Sequence, residues 1–221
     1  ASRVEMTQAL DALIARLTRK PACLINGSAI GWYGLQEAGD DAELSEDANP
    51  KPAFVHDVCD AWERATVPIA ARGVRVVVMR IGLVLGVDGG MLAKLLTPFE
   101  FGGGGIMGDG RQWMSWIEHD DVIRAICFAI STPDLSGPIN AVAPTPVRNE
   151  TFSRDLAAAL HRPLFLRFPE WLLAGGLGEL GRETMLGGQR VVPSRLQEAG
   201  FEFRHAVLAP TLKTITGAKD A

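Results

Sequence analysis

Two stretches of this sequence place glycines beside polar or aromatic residues where a ligand could bind. Ser28-Ala-Ile-Gly-Trp-Tyr-Gly34 and Arg80-Ile-Gly-Leu-Val-Leu-Gly86 stand at the ends of apolar runs that are typical of buried strands. Open α/β sheets bind ligands beyond the carboxyl ends of their strands, so the first stretch is the best site candidate. Its alternative is a tight turn whose aromatic side chains pack on the core. The glycines of the second stretch could let a ligand approach closely, or could relieve crowding at the sheet end.

A third stretch, Trp113-Met-Ser-Trp-Ile-Glu-His-Asp-Asp121, brings together aromatic side chains, one histidine and three carboxylates. Its polar side chains could contact a sugar or a phosphate. Asp120 and Asp121 could also serve only as caps for the helix that follows. His119 and Asp121 could form an acid–base pair, but neighbouring positions at a helix start usually point apart. We therefore favour the capping interpretation.

The chain contains one formal Gly-x-Gly-x-x-Gly pattern, at Gly103, Gly105 and Gly108. That fingerprint binds a pyrophosphate when it follows a strand and opens a helix, because the helix amides then point at the phosphates. Here it follows a predicted helix and precedes another polar turn. We interpret it as a mobile loop on the substrate side and not as a dinucleotide site.

The composition excludes several classes of function. With 47% hydrophobic residues and a net charge of −4, the 221-residue chain can bury a core and offers no basic surface to a nucleic acid. No run approaches the roughly 18 apolar residues of a membrane span, and the first residues lack a signal-peptide pattern, so we expect a cytoplasmic protein without a membrane partner. Cys23, Cys59 and Cys127 lie far apart without CxxC spacing, which predicts reduced core residues and no metal site.

Helical and strand-like segments alternate along the chain. We predict helices over 2–17, 53–71, 90–99, 122–131, 149–160 and 208–215, and strands over 22–27, 74–85, 139–143 and 163–168. The acidic stretch 39–52 contains two prolines and is predicted to be an exposed loop. This alternation is typical of βαβ units, so the predicted fold class is α/β, Rossmann-like, with a mostly parallel sheet.

The predicted sheet is incomplete, because only two buried strands precede Gly102 whereas a complete doubly wound nucleotide fold needs about six. We therefore expect the N-terminal half of the sheet to lie outside this sequence. The chain divides into the C-terminal part of a nucleotide-binding domain, 1–147, and a small, mainly helical lobe, 148–221. That lobe could cover the substrate crevice or form an oligomer interface, since its run 171–177 is apolar.

Several motifs together resemble one known family. They occur in order along nearly the whole chain: Ser28-Ala-Ile-Gly-Trp-Tyr-Gly34, Trp62-Glu63, Arg80-Ile-Gly-Leu-Val-Leu-Gly86, Gly108-Asp-Gly-Arg-Gln112, Trp116-Ile117 with Asp120-Asp121, Asn140-Ala-Val-Ala-Pro144 and Gly188-Gln-Arg-Val-Val-Pro193. The chain is thereby similar to the epimerase-family atypical short-chain dehydrogenases/reductases that end in a C-terminal domain of unknown function. Members of that family begin with a Rossmann half that carries a glycine-rich loop, and this sequence begins after the corresponding part.

The resemblance implies an NAD(P)-binding fold related to nucleotide-sugar epimerases and dehydratases. It implies NADP or NAD as cofactor, a small-molecule or nucleotide-linked substrate, and it allows a homo-oligomer. Because strand ends face the crevice, it places cofactor contacts at Ser28, Ala29, Tyr33, Gly82 and Val84. Substrate contacts are expected from Gln112, Trp116 and Asn140.

The sequence departs from that family where the chemistry would take place. Extended relatives use a tyrosine and a lysine four residues later, and the lysine lowers the tyrosine pKa so that the phenolate accepts a proton during hydride transfer. Tyr33 is the only tyrosine in this chain, and Glu37 stands four residues after it. Matching Glu63 to the glutamate that follows the dyad puts Val55 and Cys59 at the dyad positions.

Two further departures are Ala29, where those relatives carry a catalytic serine or threonine, and Glu118, where they carry a histidine. The resemblance thus leaves two functions open. The first is an NAD(P)-dependent oxidoreductase or nucleotide-sugar epimerase-like enzyme, in which Tyr33 acts as a catalytic hydrogen-bond donor. The second is a non-catalytic dinucleotide-sensing or regulatory protein on the same fold.

Overall fold

The computed structural model describes residues 2–37, 39–169 and 188–217. Helices and strands alternate, as the sequence predicts. In chain order they are α1 (Ser2–Arg16), β1 (Cys23–Ala29), α2 (Phe54–Arg64), α3 (Val67–Ala71), β2 (Arg75–Ile81), β3 (Leu83–Leu85), α4 (Gly90–Glu100), β4 (Gly105–Met107), β5 (Trp113–Met114), β6 (Trp116–Glu118), α5 (His119–Ser131), β7 (Gly137–Ala141), β8 (Val147–Arg148), α6 (Asn149–Ala159), β9 (Leu166–Phe168), α7 (Ser194–Glu198) and α8 (Leu208–Thr216).

The central layer is a parallel three-stranded sheet in the order β1-β2-β7. Because successive side chains of a strand point to opposite faces, the valine-rich β2 serves two cores. Val77 and Met79 pack with α5 on one face. Val76 and Val78 pack with Ile69 of α3 on the other. This two-faced burial is the reason for the continuous apolar run, and it confirms the predicted α/β class.

The predicted strand 74–85 is divided into β2 and β3 by Gly82, which changes the hydrogen-bonding partner of the chain. The amide of Gly82 donates to Ala141 of β7, whereas the amide of Leu83 donates to Ser115. A Cβ atom on Gly82 would lie 2.5 Å from the carbonyl oxygen of Ser115 and 2.7 Å from Val142 Cγ1. The packing supports relief of crowding as one reason for this glycine, and Gly82 also lines the crevice described below.

The glycine run that begins at 102 is more ordered than its composition predicts. Residues Gly105–Met107 form β4, which pairs in parallel with β9. A Cβ atom on Gly104 would lie 2.4 Å from the ring of Phe99. The expectation of a wholly irregular, mobile loop is therefore wrong for this part, because these glycines permit close packing. The run follows helix α4 and opens no helix, as predicted.

Two helix boundaries differ from the sequence prediction. The helix predicted over 53–71 breaks between α2 and α3, and Pro68 lies in the first turn of α3, where a proline is tolerated. Helix α5 begins at His119, and the carboxylate of Glu118 accepts hydrogen bonds from the amides of Asp120 and Asp121. The cap is thus Glu118, and the prediction that an aspartate caps this helix is wrong.

The acidic stretch 39–52 is not simply exposed, because it packs against the C-terminal lobe. The amide of Leu44 donates to the carbonyl of Arg190, and the amide of Val192 donates back to Leu44. The Glu46 side chain is buried and accepts hydrogen bonds from the amides of Asn140 and Arg195. These contacts between distant segments have no local sequence signal.

The C-terminal helix α8 packs on α6 in a third core, where Leu208 and Leu212 contact the cluster that contains Phe152. The apolar run 171–177 lies outside the described residues. No helix in the described ranges combines the length and the apolar character that crossing a membrane requires.

Candidate functional site

A crevice of about 590 Å³ opens beyond the carboxyl ends of β1 and β2. Helix α2 forms one wall, and α4 together with the segment from Met107 to Met114 forms the opposite wall. Gly188 and Gln189 of the C-terminal lobe also line it. The lining is almost entirely apolar, and no charged side chain of the described residues belongs to it.

The floor of the crevice lies where β1 ends and α2 passes over it. Ala29 and Gly31 line this floor, and Val55 and Cys59 line the adjoining face of α2. A Cβ atom on Gly31 would lie 3.3 Å from Val55 Cβ and 3.6 Å from Cys59 Sγ. The absence of a side chain at Gly31 therefore allows α2 to approach the strand end closely.

The opposite wall includes the indole of Trp113, which is held from outside the crevice by arginines. The guanidinium of Arg148 lies 3.7 Å from the ring centroid, and that of Arg190 lies 4.9 Å away. Both arginines pair with carboxylates of the acidic loop, Arg148 with Asp41 and Arg190 with Glu43. The packed loop thereby fixes the position of one crevice wall.

A buried polar network lies next to the floor. The hydroxyl of Ser28 donates to Glu63 at 2.8 Å, and the guanidinium of Arg80 donates twice to the same carboxylate, at 3.0 and 2.9 Å. A further Arg80 nitrogen donates to the Tyr33 hydroxyl at 3.2 Å. That hydroxyl donates in turn to Asn140 Oδ1 at 2.8 Å. The network joins β1, α2, β2 and β7 into one rigid unit.

The electrostatics of this network keep its phenol neutral and its arginine charged. Burial raises the pKa of the Tyr33 hydroxyl, although the Arg80 charge opposes that shift. Burial also disfavours the charged form of Arg80, but its bonds to Glu63 and Tyr33 outweigh this effect and raise the pKa. Arg80 additionally stacks on the ring of Trp32, with 3.4 Å from Cζ to the centroid. Tyr33 is thus fixed as a structural hydrogen-bonding group.

The structure brings three of the predicted site residues to the crevice, namely Ala29, Gly82 and Gln112. Ser28, Tyr33 and Asn140 belong instead to the buried network. The catalytic role predicted for Tyr33 therefore finds no geometric support, since its buried hydroxyl is engaged on both sides.

The last two predicted contacts lie elsewhere. Val84 of β3 lines a different cavity, and Trp116 is fully buried, with its indole nitrogen donating to the carbonyl of Thr145 at 3.0 Å. Val84 packs on the cluster beside α5, whereas its neighbour Leu83 lines the crevice. Trp116 is enclosed in the core cluster that contains Phe152.

The sequence prediction of contacts missed several crevice residues, including Met91, Leu95, Asn149 and Gln189. The first two are apolar residues on a helix, a pattern that indicates core packing as readily as a ligand site. Gln189 had a usable signal, because it stands within one of the motifs that carry the family resemblance.

A second cavity of about 560 Å³ lies at the carboxyl ends of β3 and β6. It is more polar than the crevice and is lined by groups that include Glu118, His119 and His205. His119 approaches Asp120 at 3.7 Å, whereas the carboxylate of Asp121 pairs with other partners. The acid–base pair of His119 and Asp121 is thus not formed. The described residues contain no group of three side chains that could hold a metal ion.

Comparison with known proteins places these features in a family. The NAD dependent epimerase/dehydratase family matches residues 1–142, and the Domain of unknown function (DUF1731) matches residues 168–215. An epimerase family protein of Mycobacterium bovis is 40% identical over 211 residues, which cover 96% of this chain and 68% of that protein. The chain belongs to the NAD dependent epimerase/dehydratase family.

Solved structures of family members agree with the fold. The human epimerase family protein SDR39U1 (isoform 2), crystallised with NADPH, has 30% sequence identity and a TM-score of 0.90, covering 99% of this chain and 73% of that chain. A nucleoside-diphosphate sugar epimerase from Corynebacterium glutamicum has 33% identity and a TM-score of 0.81, covering 99% of this chain and 42% of that one. These matches confirm the Rossmann-like α/β class and the resemblance to epimerase-family short-chain dehydrogenases/reductases.

In this epimerase family protein, Val55 and Cys59 share the face of α2 that lines the crevice. They are the positions that the sequence comparison assigned to the tyrosine and lysine of extended relatives. Burial raises the pKa of the Cys59 thiol, so the thiol is protonated at neutral pH.

Proposed function

We propose that this chain forms the substrate-binding part of an NAD(P)-dependent oxidoreductase that acts on a small molecule. The observation that carries the proposal is the uncharged crevice beyond β1 and β2, where dinucleotide-binding α/β folds place their ligands. Membership of an NAD dependent family, and the NADPH present with the human relative, support the same cofactor class here.

The crevice residues fit the nicotinamide end of such a cofactor, whose ring is flat and, in the reduced form, uncharged. Ala29 and Gly31 leave a floor without a bulky side chain, and Cys59 and Gly82 adjoin it. These residues would hold and orient the ring, while the apolar walls exclude water from it. A bound nicotinamide supplies or accepts a hydride. The residues proposed as cofactor contacts are therefore Ala29, Gly31, Cys59 and Gly82.

The Tyr-x-x-x-Lys dyad, which in extended relatives exchanges the proton that accompanies hydride transfer, has no counterpart at Val55 and Cys59. Val55 has no proton to exchange. The protonated thiol of Cys59 is the one titratable side chain among the described residues that line the crevice. Proton exchange would thus involve Cys59 or solvent. Reduction of a carbonyl takes up one proton, which solvent can supply, whereas epimerisation through a ketone must first remove a hydroxyl proton and therefore needs a base. We therefore propose an oxidoreductase in preference to an isomerase.

A non-catalytic dinucleotide-sensing protein is the second candidate. It is favoured by one observation, the apolar residue Val55 at a position where catalysis in extended relatives requires a phenol. A sensor needs only to bind the cofactor, and the crevice provides the same floor for that purpose.

Two measurements on the full-length protein test these proposals. Calorimetric titration with NADPH and with NADH measures cofactor binding, and the absorbance of bound NADPH is then followed with a panel of aldehydes and ketones. Oxidation of NADPH by a carbonyl compound supports the oxidoreductase, whereas binding without oxidation supports the sensor. If neither dinucleotide binds, both proposals fall.

The domain boundary near 147 remains our proposal, with one qualification from the geometry. Asn149 and Gln189 of the C-terminal lobe line the same crevice as Ala29 of the preceding domain. We therefore propose that the lobe completes the substrate site. A cytoplasmic location and a homo-oligomer are likewise proposals.

A further inference from the structure

The walls of the crevice indicate which class of substrate it accepts. Beyond the floor, the side chains that face the cavity are aromatic, aliphatic or thioether groups, such as Trp62, Met91, Leu95 and Trp113. The described lining contains neither arginine nor lysine. A ligand in this space therefore meets apolar surface, which favours apolar ligand groups over charged ones.

The amide side chains of the crevice hold its walls, whereas the buried indole nitrogen of Trp113 has no hydrogen-bond partner among the described residues. Gln112 Nε2 donates to the carbonyl of Met107 at 3.1 Å, and Asn149 Oδ1 accepts from the Met107 amide at 2.9 Å. Gln189 Nε2 donates to the carbonyl of Gly34 at 2.7 Å. Each bond ties a wall segment to another element, so a ligand that needed these donors would have to break contacts that shape the crevice.

The two arginines that lie against the crevice residue Trp113 are paired with carboxylates. Arg148 and Arg190 lie against the indole of Trp113, and their charges are paired with Asp41 and Glu43. Phosphate recognition in proteins relies on such guanidinium groups or on clustered backbone amides. Among the described residues of the lining, a diphosphate-linked sugar would find no arginine or lysine for its charges.

We propose that the crevice binds a small, uncharged and largely apolar organic molecule, and that it does not bind a nucleotide-linked sugar. This inference rests on the proposed function, because the ligand shares the crevice with the nicotinamide end of the cofactor. Trp113 supplies a fixed flat wall, and the thioethers of Met91, Met107 and Met114 supply an adjustable one. Such a cavity accepts planar or aliphatic molecules of varied outline but discriminates against charge.

A matched pair of probes tests the ligand class. The protein saturated with NADPH is titrated by calorimetry with 2-acetylnaphthalene, with 2-naphthoate, which has a similar ring body and a carboxylate, and with UDP-glucose. We expect the neutral ketone to bind at least about tenfold more tightly than either charged probe. UDP-glucose binding as tight as the ketone, or naphthoate binding equal to it, would overturn the inference, and so would the absence of ketone binding.

Two substitutions on α2 locate the binding. Val58 lines the crevice, and Val58→Arg introduces bulk and a positive charge there, so ketone affinity should fall at least about tenfold. Ala61 lies on the exposed face of the same helix, and Ala61→Arg should leave the affinity unchanged within about twofold. Equal effects of the two substitutions would show that the ketone binds elsewhere.

The failure of this inference is distinguishable from failure of the proposed function. NADPH titrated alone into the same proteins reports the cofactor. NADPH binding together with a preference for UDP-glucose overturns the ligand class and leaves the oxidoreductase proposal standing. Ketone binding without any NADPH or NADH binding overturns the oxidoreductase proposal and leaves an apolar ligand site.

Discussion

Replacing Tyr33 by phenylalanine separates a structural from a catalytic role of this residue. The substitution removes the hydroxyl that accepts from Arg80 and donates to Asn140, both of them buried, and it preserves the aromatic ring. Arg80 keeps its two bonds to Glu63, and Asn140 Nδ2 keeps its bond to Val192. The change therefore isolates two hydrogen bonds.

The expected cost follows from those two bonds. A hydrogen bond to a charged group contributes about 1.5–3 kcal/mol and a neutral one about 1 kcal/mol, so Tyr33→Phe should lower the free energy of unfolding by about 3 kcal/mol. For a chain of this length that corresponds to a fall in Tm of about 6–12 °C. Urea denaturation should show a lower midpoint with an unchanged slope.

The same substitution should leave cofactor binding and turnover unchanged. At a temperature where both proteins are folded, NADPH affinity and any turnover of Tyr33→Phe should stay within about twofold of the parent, since loss of a general acid or base lowers rates about 10²–10⁴-fold. Ser131→Ala, which removes an exposed hydroxyl at the end of α5, is the control and should change stability by under about 0.5 kcal/mol. A Tyr33→Phe protein as stable as the parent, or one that is stable but inactive, would refute this reasoning.

Three further sets of substitutions test the packing and the charges around the site. Glu63→Gln leaves the Arg80 charge buried without its partner and should lower the free energy of unfolding by about 3 kcal/mol. In a double-mutant cycle measured by urea denaturation, Glu63→Gln combined with Arg80→Met should lower it by about 1–3 kcal/mol less than the two single substitutions added together. Additive losses would contradict a coupled pair. Gly82→Ala places a Cβ against Ser115 and should lower the free energy of unfolding by about 1–3 kcal/mol. Gly27→Ala is the control, because its Cβ would contact no other atom, and it should leave thermal unfolding nearly unchanged. Burial raises the pKa of Glu46 above its ordinary 4.5, so as the pH falls the folded protein binds this proton before the unfolded protein does. The free energy of unfolding of the parent should therefore rise relative to that of Glu46→Gln as the pH falls towards 4.5. Parallel pH profiles of unfolding free energy for the two proteins would rule that out.

Much of the architecture can be predicted from the sequence, because the local residue pattern and the tertiary environment agree. The stretch 76–79 is apolar on both faces of its strand, and that strand is covered on both sides. Helices α1, α4 and α8 begin and end within one or two residues of their predicted bounds. The predicted aspartate cap of α5 is wrong because the helix begins at His119 and not at 122, which puts Glu118 at the cap position.

The candidate site was predicted less completely, because side-chain direction depends on packing. Ala29 and Ser28 are neighbours, yet Ala29 reaches the crevice and Ser28 joins the buried network, as successive residues of a strand must face opposite ways. Tyr33 lies in the same motif but follows a tight helical turn that directs its hydroxyl to Asn140. A motif alone does not distinguish these directions.

The sequence by itself determined the family, the α/β class and the order of most helices and strands, and it showed that the only tyrosine is not followed by a lysine four residues later. Only the tertiary structure decided which residues share the crevice and which lie in the buried network. The physical reason is that the loop 39–52, Trp113 and the segment 188–192 are far apart in the chain and acquire their orientation from one another. Contacts of this kind have no local pattern, whereas burial of a strand or of one helix face does.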